Sequence, residues 1–421
     1  MARDCSRAVP SASLPRLNAF LKTAGPGLVV MLADTDVGSL ITAAQSGARW
    51  GYSLLLLQIL LIPILYVVQE LTVRLGTATG RGHGELIRAH YGPVWAWISY
   101  GGLVVAGIGA IVTEFSGIAG IGDLFGVPRL VSLGLPALLL LGLVFTGSYR
   151  RVEVVALAVG LFELVFIGLA IAARPNLGEI VGSFAHIPLG DGQYRVLIAA
   201  NIGAVIMPWM IFYQQSAIVD KGLGWDHARN SRIDTLVGAV ISQCVMGAIL
   251  IAAAATIGKA GQGTKNGLET VGDLAGAFTP ALGPWLGQMV FGVGIIAAAF
   301  VALNVVALAL AWGFGDVTGK PHSLEQSPRE APAFYGAFAL VVAAGAMAVQ
   351  LVPNLVALNI AVEVMNALLL PLALGLLILL ATRALPEGKR VEGAYKWVVY
   401  VISGVTIAFA LVGVLDAVGL L

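Results

Sequence analysis

The segment Pro26–Gly51 constrains the fold of this chain most, because it is apolar at both ends and acidic in the middle. Asp34 and Asp36 lie near its centre, and each carboxylate inside a membrane-spanning segment costs roughly 2.5–3.5 kcal/mol on insertion scales. Gly38 and its short polar neighbours weaken the helix there. A broken helix exposes backbone carbonyls, which are tolerated only inside protein or beside water. Carboxylate oxygens and freed backbone carbonyl oxygens together form a site that suits a divalent cation.

The alternative interpretation of the two acids is structural. Asp34 and Asp36 would then cap a half-helix or pair with a buried base. No Lys or Arg lies within an apolar segment where it could pair with them, so we favour the ion site.

Composition places the chain among integral membrane proteins with many helices. Of its 421 residues, 58% are hydrophobic and only 11% are charged, and the mean hydropathy is +0.90. The net charge of +1 says nothing about partners, and neither a nucleic-acid partner nor an obligate protein partner is predicted. Cys5 and Cys244 are the only cysteines, which excludes a disulfide framework and a cysteine metal cluster. Residues 1–24 lack the apolar region of a signal peptide and are predicted to form a cytosolic tail.

Hydropathy predicts eleven membrane spans. Segments of this length cross a hydrocarbon core of about 30 Å. The predicted spans are 26–48, 52–76, 94–119, 128–148, 152–173, 196–219, 233–258, 284–314, 332–353, 355–382 and 394–418.

The distribution of basic residues predicts the orientation of these spans. With the amino terminus in the cytosol, most of the 24 Lys and Arg residues fall in inside segments, as the positive-inside rule requires. The outside set is only Arg49, Arg129, Arg174, Arg195, Lys259 and Lys265. The chain is therefore predicted to lie in the plasma membrane with an extracellular carboxyl terminus.

A second break is predicted in the sixth span. Gly203 lies four residues before Met207-Pro208, and proline removes a backbone donor and disfavours helix at the preceding residue. An ordinary proline kink is the alternative. We favour a break because the first and sixth spans would each begin a five-helix unit, and the two units would have opposite orientations. Their broken helices would then meet at the site. The predicted segments are the first repeat 25–175, an extracellular loop 176–195, the inverted repeat 196–383, and the eleventh helix with the carboxyl terminus, 384–421.

Several motifs in order along the chain indicate a family. They are Gly25-Pro26-Gly27, Asp36-Val37-Gly38-Ser39, Gly51-Tyr52, Arg74-Leu75-Gly76, Ala78-Thr79-Gly80-Arg81, Thr113-Glu114, Gly147-Ser148-Tyr149-Arg150-Arg151 and Ala204-Val205-Ile206-Met207-Pro208. In these motifs the chain resembles the Nramp family of divalent metal transporters over nearly its whole length. The resemblance implies an all-α LeuT-like fold with eleven transmembrane helices and an inverted repeat of helices 1–5 and 6–10.

The chain departs from the family pattern at the site itself. Ser39 replaces the family asparagine and Val37 the motif proline. Trp209 replaces the histidine after Met-Pro, and Gln214-Gln215 stand where a second histidine is expected. This combination is similar to the Nramp-related magnesium transporters.

The predicted ion site combines the break residues with these departures. Mg²⁺ usually keeps several waters, so its site should be roomy, acidic and lined by hydroxyls and amides. Met207 is the exception, because a thioether favours Mn²⁺ or Fe²⁺, unless it serves only for packing. The predicted metal-site residues are Asp36, Asp34, Ser39, Thr35, Ala204, Met207, Gln214 and Gln215. The residues predicted to support the site or line the ion path are Glu114, Asn366, Asn359, Asp234 and Trp209.

The sequence favours transport over other functions. We expect the chain to carry Mg²⁺, and also Mn²⁺, by alternating access as a partly hydrated ion. We expect no proton coupling, because the histidines expected in the sixth helix are missing. The alternative is a proton-coupled Mn²⁺/Fe²⁺ symporter. An organic solute carrier is disfavoured because the two acids would repel a substrate carboxylate. No zinc, phosphate-loop or nucleophile-elbow motif supports an enzyme, and no cofactor is predicted beyond the transported ion.

Overall fold

The computed structural model describes residues 23–257, 271–277, 282–349 and 355–421, and regular structure in these ranges is helical throughout. The helices are α1 Pro26–Asp34, α2 Val37–Trp50, α3 Leu55–Thr79, α4 His83–Tyr91, α5 Pro93–Leu124, α6 Arg129–Val144, α7 Tyr149–Gly160, α8 Val165–Ala172, α9 Leu177–Ser183, α10 Gly192–Val205, α11 Pro208–Asp220, α12 Ala228–Thr256, α13 Val271–Ala277, α14 Pro284–Thr318, α15 Pro332–Ala348, α16 Leu355–Leu379 and α17 Gly393–Ala417.

Helices occur at all eleven predicted span positions. Eight described helices are long and apolar enough to cross a membrane, and the bent pair α1 and α2 makes a ninth span. The shorter apolar helices α6 and α15 lie at the predicted fourth and ninth spans. Residue 258, the end of the predicted seventh span, residues 350–353 of the ninth, and residues 1–22 of the predicted tail lie outside the described residues. The prediction of an all-helical fold is confirmed for the described ranges.

The first span breaks at its acidic centre. Helix α1 ends at Asp34, and α2 begins at Val37 after a bend of 49°. Asp36 has extended backbone angles, and its side chain accepts a hydrogen bond from the Ser39 amide at 2.7 Å. This is the geometry of an amino-terminal cap, which satisfies one of the free N–H groups at the start of a helix.

The sixth span is interrupted between Val205 and Pro208, where the sequence predicts a break. Met207 is extended (φ −95°, ψ 140°), as expected for the residue before a proline. Pro208 occupies the first position of α11, where its missing N–H removes no helical hydrogen bond. Helix α10 begins at Gly192, four residues before the predicted start of this span.

Two close contacts position the broken helices. The Ser39 hydroxyl donates to the carbonyl of Ala204 at 2.9 Å, so α2 is tied directly to the end of α10. Gly203 packs against the backbone of α16, where an added Cβ would lie 2.9 Å from Ala367 N. On its other side, α10 packs against α17 and is held there by Arg195, whose guanidinium makes two 2.6 Å hydrogen bonds to Asp416.

Candidate metal site

Asp36 presents a free carboxylate oxygen at the centre of the fold. One oxygen caps α2, while Oδ2 is buried without a hydrogen-bond partner among the described residues. A buried, unpaired carboxylate oxygen is costly unless a cation or donor satisfies it. Asp36 therefore combines helix capping with the capacity to bind an ion.

Asp34 is the second acid of the break, and residues of α12 hold it. Its Oδ2 accepts hydrogen bonds from Ser242 Oγ at 2.5 Å and from Gln243 Nε2 at 3.5 Å, and its Oδ1 has no described partner. Sequence analysis did not identify Ser242 or Gln243, because only the tertiary fold brings α12 against the break.

Thr35 lies between the two acids and connects the break to the fifth span. Its hydroxyl donates to Leu32 O at 2.7 Å and also lies within hydrogen-bond reach of Glu163. Glu163 is fully buried in the turn between α7 and α8, and its Oε1 has no described partner. The signal that could have found it is an isolated acid in an apolar segment.

Two more acids approach the break from α5 and α16. Glu114 accepts a hydrogen bond from the Val37 amide at 3.2 Å and leaves Oε1 unpartnered within the described chain. Glu363 lies directly over Gly38, and a Cβ added to Gly38 would clash with the Glu363 carboxylate. Glu363 also accepts a hydrogen bond from Asn366 Nδ2 at 3.0 Å. The structure therefore places Glu114 at the break, where its role toward an ion stays a prediction, and adds Glu363, which the sequence alone did not assign to the site.

Five buried acids surround the break, and none of them forms a described salt bridge with a Lys or Arg. They surround the break without forming a compact chelate, because no group of three or more His, Cys, Asp or Glu among the described residues is spaced to hold a metal ion. Like charges in a low-dielectric interior repel one another, and a dication between them would relieve that repulsion. The five are Asp34, Asp36, Glu114, Glu163 and Glu363.

Other predicted residues lie at or near the two breaks. Ala204 contributes the carbonyl that Ser39 binds, and Met207 is fully buried in the second break. Trp209 is also fully buried, and its indole Nε1 has no described partner. Asn359 is one helical turn before Glu363 on α16, and both of its side-chain amide atoms are buried and unpartnered among the described residues. Their roles toward an ion stay predictions.

The structure does not bring Gln214 and Gln215 to the break. Gln214 lies seven residues beyond Met207, about 10 Å along a helix. Its amide accepts from Thr72 at 3.0 Å and donates to Thr235 at 2.6 Å. Both ends of this amide are therefore occupied by α3 and α12.

Gln215 is directed toward α4 instead. It donates to Arg81 O at 2.9 Å, and its Oε1 lies 3.1 Å from His83 Nδ1. Burial lowers the pKa of His83 to about 4, although the Gln215 hydrogen bond opposes this shift. His83 is therefore neutral at physiological pH, and the pair forms a neutral structural contact.

Asp234 lies at the far end of α1 from the break. Its Oδ2 accepts hydrogen bonds from the amides of Gly25 at 3.0 Å, Gly27 at 2.8 Å and Leu28 at 3.4 Å, so it caps α1. Beside it, Lys221 Nζ donates to the carbonyl of Ala24 and to Glu153, each at 2.7 Å. This cluster lies at the amino-terminal end of the first span.

Comparisons with known proteins show to which family the chain is similar. The Nramp family profile, described as natural resistance-associated macrophage protein-like, matches residues 27–416. The chain is 31% identical over 312 residues to the divalent metal cation transporter MntH of Deinococcus radiodurans, covering 70% of this chain and 67% of that protein. It is 31% identical over 314 residues to MntH of Yersinia pestis strain Pestoides F, covering 72% and 75%.

A solved structure shows the same fold, which confirms the predicted LeuT-like arrangement of helices. The manganese transporter of Eremococcus coleocola, crystallised with an aromatic bis-isothiourea compound, aligns with a TM-score of 0.73 at 18% identity. The alignment covers 97% of this chain and 88% of that chain. At this identity the likeness supports the arrangement of the helices and not the chemistry of the site.

Proposed function

We propose that this chain, which belongs to the Nramp family, carries divalent metal ions across a membrane through the site where its two broken helices meet. The observation that carries the proposal is the buried Oδ2 of Asp36, which has no hydrogen-bond partner among the described residues and lies at a break that four further buried carboxylates surround. The relatives named as divalent metal cation transporters support the same class of substrate.

The ions that fit this proposal are Mg²⁺ and Mn²⁺. Because no three acids among the described residues are spaced as a compact chelate, the site suits an ion that keeps part of its water shell, as Mg²⁺ does. Ser39 and Thr35 add hydroxyls at the same place. The two glutamines do not contribute to this argument, because their amides bind elsewhere.

Alternating access supplies the transport mechanism. With the amino terminus in the cytosol, the cluster of Asp234, Lys221 and Glu153 forms the closed cytosolic end of the first span. Releasing α1 to the cytosol then requires the Lys221 contacts with Glu153 and Ala24 to break. The predicted plasma-membrane orientation would allow the inward-negative potential to drive a dication with about 2 × 2.3 kcal/mol per 100 mV. We propose movement driven by this potential, without stoichiometric protons.

A second candidate is a proton-coupled Mn²⁺/Fe²⁺ symporter, and two observations favour it. Met207 lies in the break of the sixth span, where a thioether would select softer ions. Glu163 and Glu363 add carboxylates beside the break that a proton route needs.

Metal uptake into sealed proteoliposomes tests the central proposal. Asp36→Ala should abolish Mn²⁺ uptake with folding intact, and Asp34→Ala should reduce it less severely. The matched control is Asp123→Ala, an exposed acid paired with Arg129, which should transport normally. Folding is checked by size-exclusion chromatography and circular dichroism. Normal uptake by a well-folded Asp36→Ala protein would refute the site.

Two dyes separate the candidates. A Mg²⁺-sensitive dye inside the vesicles should report entry, and Mg²⁺ should compete with Mn²⁺, whereas Ca²⁺ should compete poorly. If millimolar Mg²⁺ neither enters nor competes, the Mn²⁺/Fe²⁺ candidate is correct. An internal pH dye with the membrane potential clamped tests coupling. Acidification that follows metal uptake under clamp would establish proton symport.

A further inference from the structure

The loop 319–331 between α14 and α15, here called the strap, binds helix ends that are distant in sequence. The amide of Leu324 donates to Asp220 Oδ2 at 2.7 Å, and Asp220 is the last residue of α11. Glu325 Oε1 accepts a hydrogen bond from the amide of Tyr149 at 2.9 Å, where α7 begins. The strap therefore holds the end of α11 that lies away from the break, together with the start of α7.

Two acids near the strap lie at unfavourable ends of helices. Asp220 ends α11, and Asp316 lies in the last turn of α14. The carboxyl end of a helix carries a partial negative charge, so an acid there is disfavoured unless a cation lies close to it. Asp316 is also buried, and its Oδ2 accepts a hydrogen bond from the amide of Gly84 at 3.0 Å. An amide supplies no counter-charge, so this position still favours a cation.

His322 of the strap supplies that cation. Its Nε2 lies 3.1 Å from Asp316 Oδ1, and its Nδ1 lies 2.6 Å from the carbonyl oxygen of Lys320. An ionised carboxylate and a carbonyl only accept hydrogen bonds, so both ring nitrogens face acceptors, which suits the charged imidazolium. Burial of the ring opposes its charge, but Asp316, with a smaller contribution from Asp220, outweighs burial and raises the pKa of His322 to about 9.

Other charged groups around the strap do not replace His322. Glu85 of α4 lies 3.5 Å from Arg81 and is largely solvated. The ammonium of Lys320 lies over an aromatic ring of α14, 5.8 Å from its centroid, and the guanidinium of Arg88 lies beside the first residue of the strap. Among the described ion pairs, the one that includes Asp316 is its pair with His322.

We propose that the charged His322 is a latch that holds the strap, and with it the end of α11, against α14. Gly315 of α14 allows the close approach, because a Cβ added there would clash with the His322 side chain. When the pair with Asp316 breaks, the strap and the end of α11 can move away from α14 together. The latch does not depend on which ion the chain carries.

Ser216 of α11 provides a reporter position for this movement. It lines a cavity of about 450 Å³ beside the strap, and its hydroxyl is buried. The reporter protein is the full chain in detergent with Cys5→Ser, Cys244→Ser and Ser216→Cys, and its alkylation by N-ethylmaleimide is followed by mass spectrometry. His322→Gln should accelerate alkylation about tenfold, the low end for losing a hydrogen bond to a charged group, because the ring is 30% exposed. His90→Gln, which replaces an exposed histidine of α4, should leave the rate unchanged.

Three further measurements separate a latch from general loosening. Asp316→Asn, which keeps an acceptor for the Gly84 amide, should also accelerate alkylation, and adding His322→Gln should change little because the two residues form one pair. The rate with His322 present, divided by the rate of His322→Gln at the same pH, should rise toward one as the pH rises through 9. With Ser403→Cys, buried on α17, in place of Ser216→Cys, His322→Gln should have no effect. An unchanged rate at Ser216→Cys, additive effects, a ratio independent of pH, or equal acceleration at Ser403→Cys would overturn the proposal.

Discussion

Gly203→Ala tests whether the second break depends on the close approach of α10 and α16. An added Cβ would lie 2.9 Å from both Glu363 C and Ala367 N, and closer still to the Glu363 carbonyl oxygen. Restoring an ordinary contact of 3.4 Å at the nitrogen alone requires a movement of about 0.5 Å, and the carbonyl requires more. The atoms that the added Cβ would meet belong to the backbone of α16 and, unlike a side chain, cannot rotate away. Helices α10 and α16 must therefore separate.

The cost of this separation follows from overpacking of buried sites, which is about 1–3 kcal/mol. Gly203 precedes Ala204, whose carbonyl binds Ser39, and Glu363 approaches the first break. The strain therefore falls on the arrangement that holds the ion, and 1–3 kcal/mol corresponds to about a 5–150-fold loss of uptake.

The assay is initial Mn²⁺ uptake in proteoliposomes, with thermal unfolding of the detergent-solubilised protein as a second measurement. Gly375→Ala is the matched control, since Gly375 is also on α16 and an added Cβ there meets nothing within 4 Å. That control should transport normally. Wild-type uptake and unchanged unfolding for Gly203→Ala would show that the break does not depend on this packing.

Three further perturbations test the surrounding contacts. Lys221→Met should destabilise the protein by about 3–5 kcal/mol, because it leaves Glu153 unpaired in a largely buried position. Adding Glu153→Gln should recover most of that stability, and unfolding curves of the single and double variants measure both effects. Burial of the His322 ring opposes its charge, but the adjacent Asp316 outweighs this and raises the pKa of His322 to about 9. Stability from the charged imidazole is therefore complete below pH 6.5 and lost as the pH rises through 9, and His322→Gln should remove this slope in thermal unfolding. Gln214→Ala should leave the metal dissociation constant unchanged while lowering stability by about 1–3 kcal/mol; a clearly weaker metal affinity would instead place Gln214 at the ion.

The sequence by itself determined where the chain crosses a membrane and where its helices break. Asp36 and Pro208 act through local chemistry: a short acid caps the helix that follows it, and a proline begins one. Both effects depend on neighbours within four residues, so they can be predicted without knowing the fold.

The tertiary structure decided which polar side chains face the break. Gln214 and Gln215 follow the break in sequence, yet helical rotation and the neighbouring α3, α12 and α4 direct their amides elsewhere. Glu163 and Glu363 are far from the break in sequence, yet α7, α8 and α16 carry them to it. A buried polar group is directed by the partners that the fold supplies, and contacts between residues more than a hundred positions apart exist only after the helices have packed.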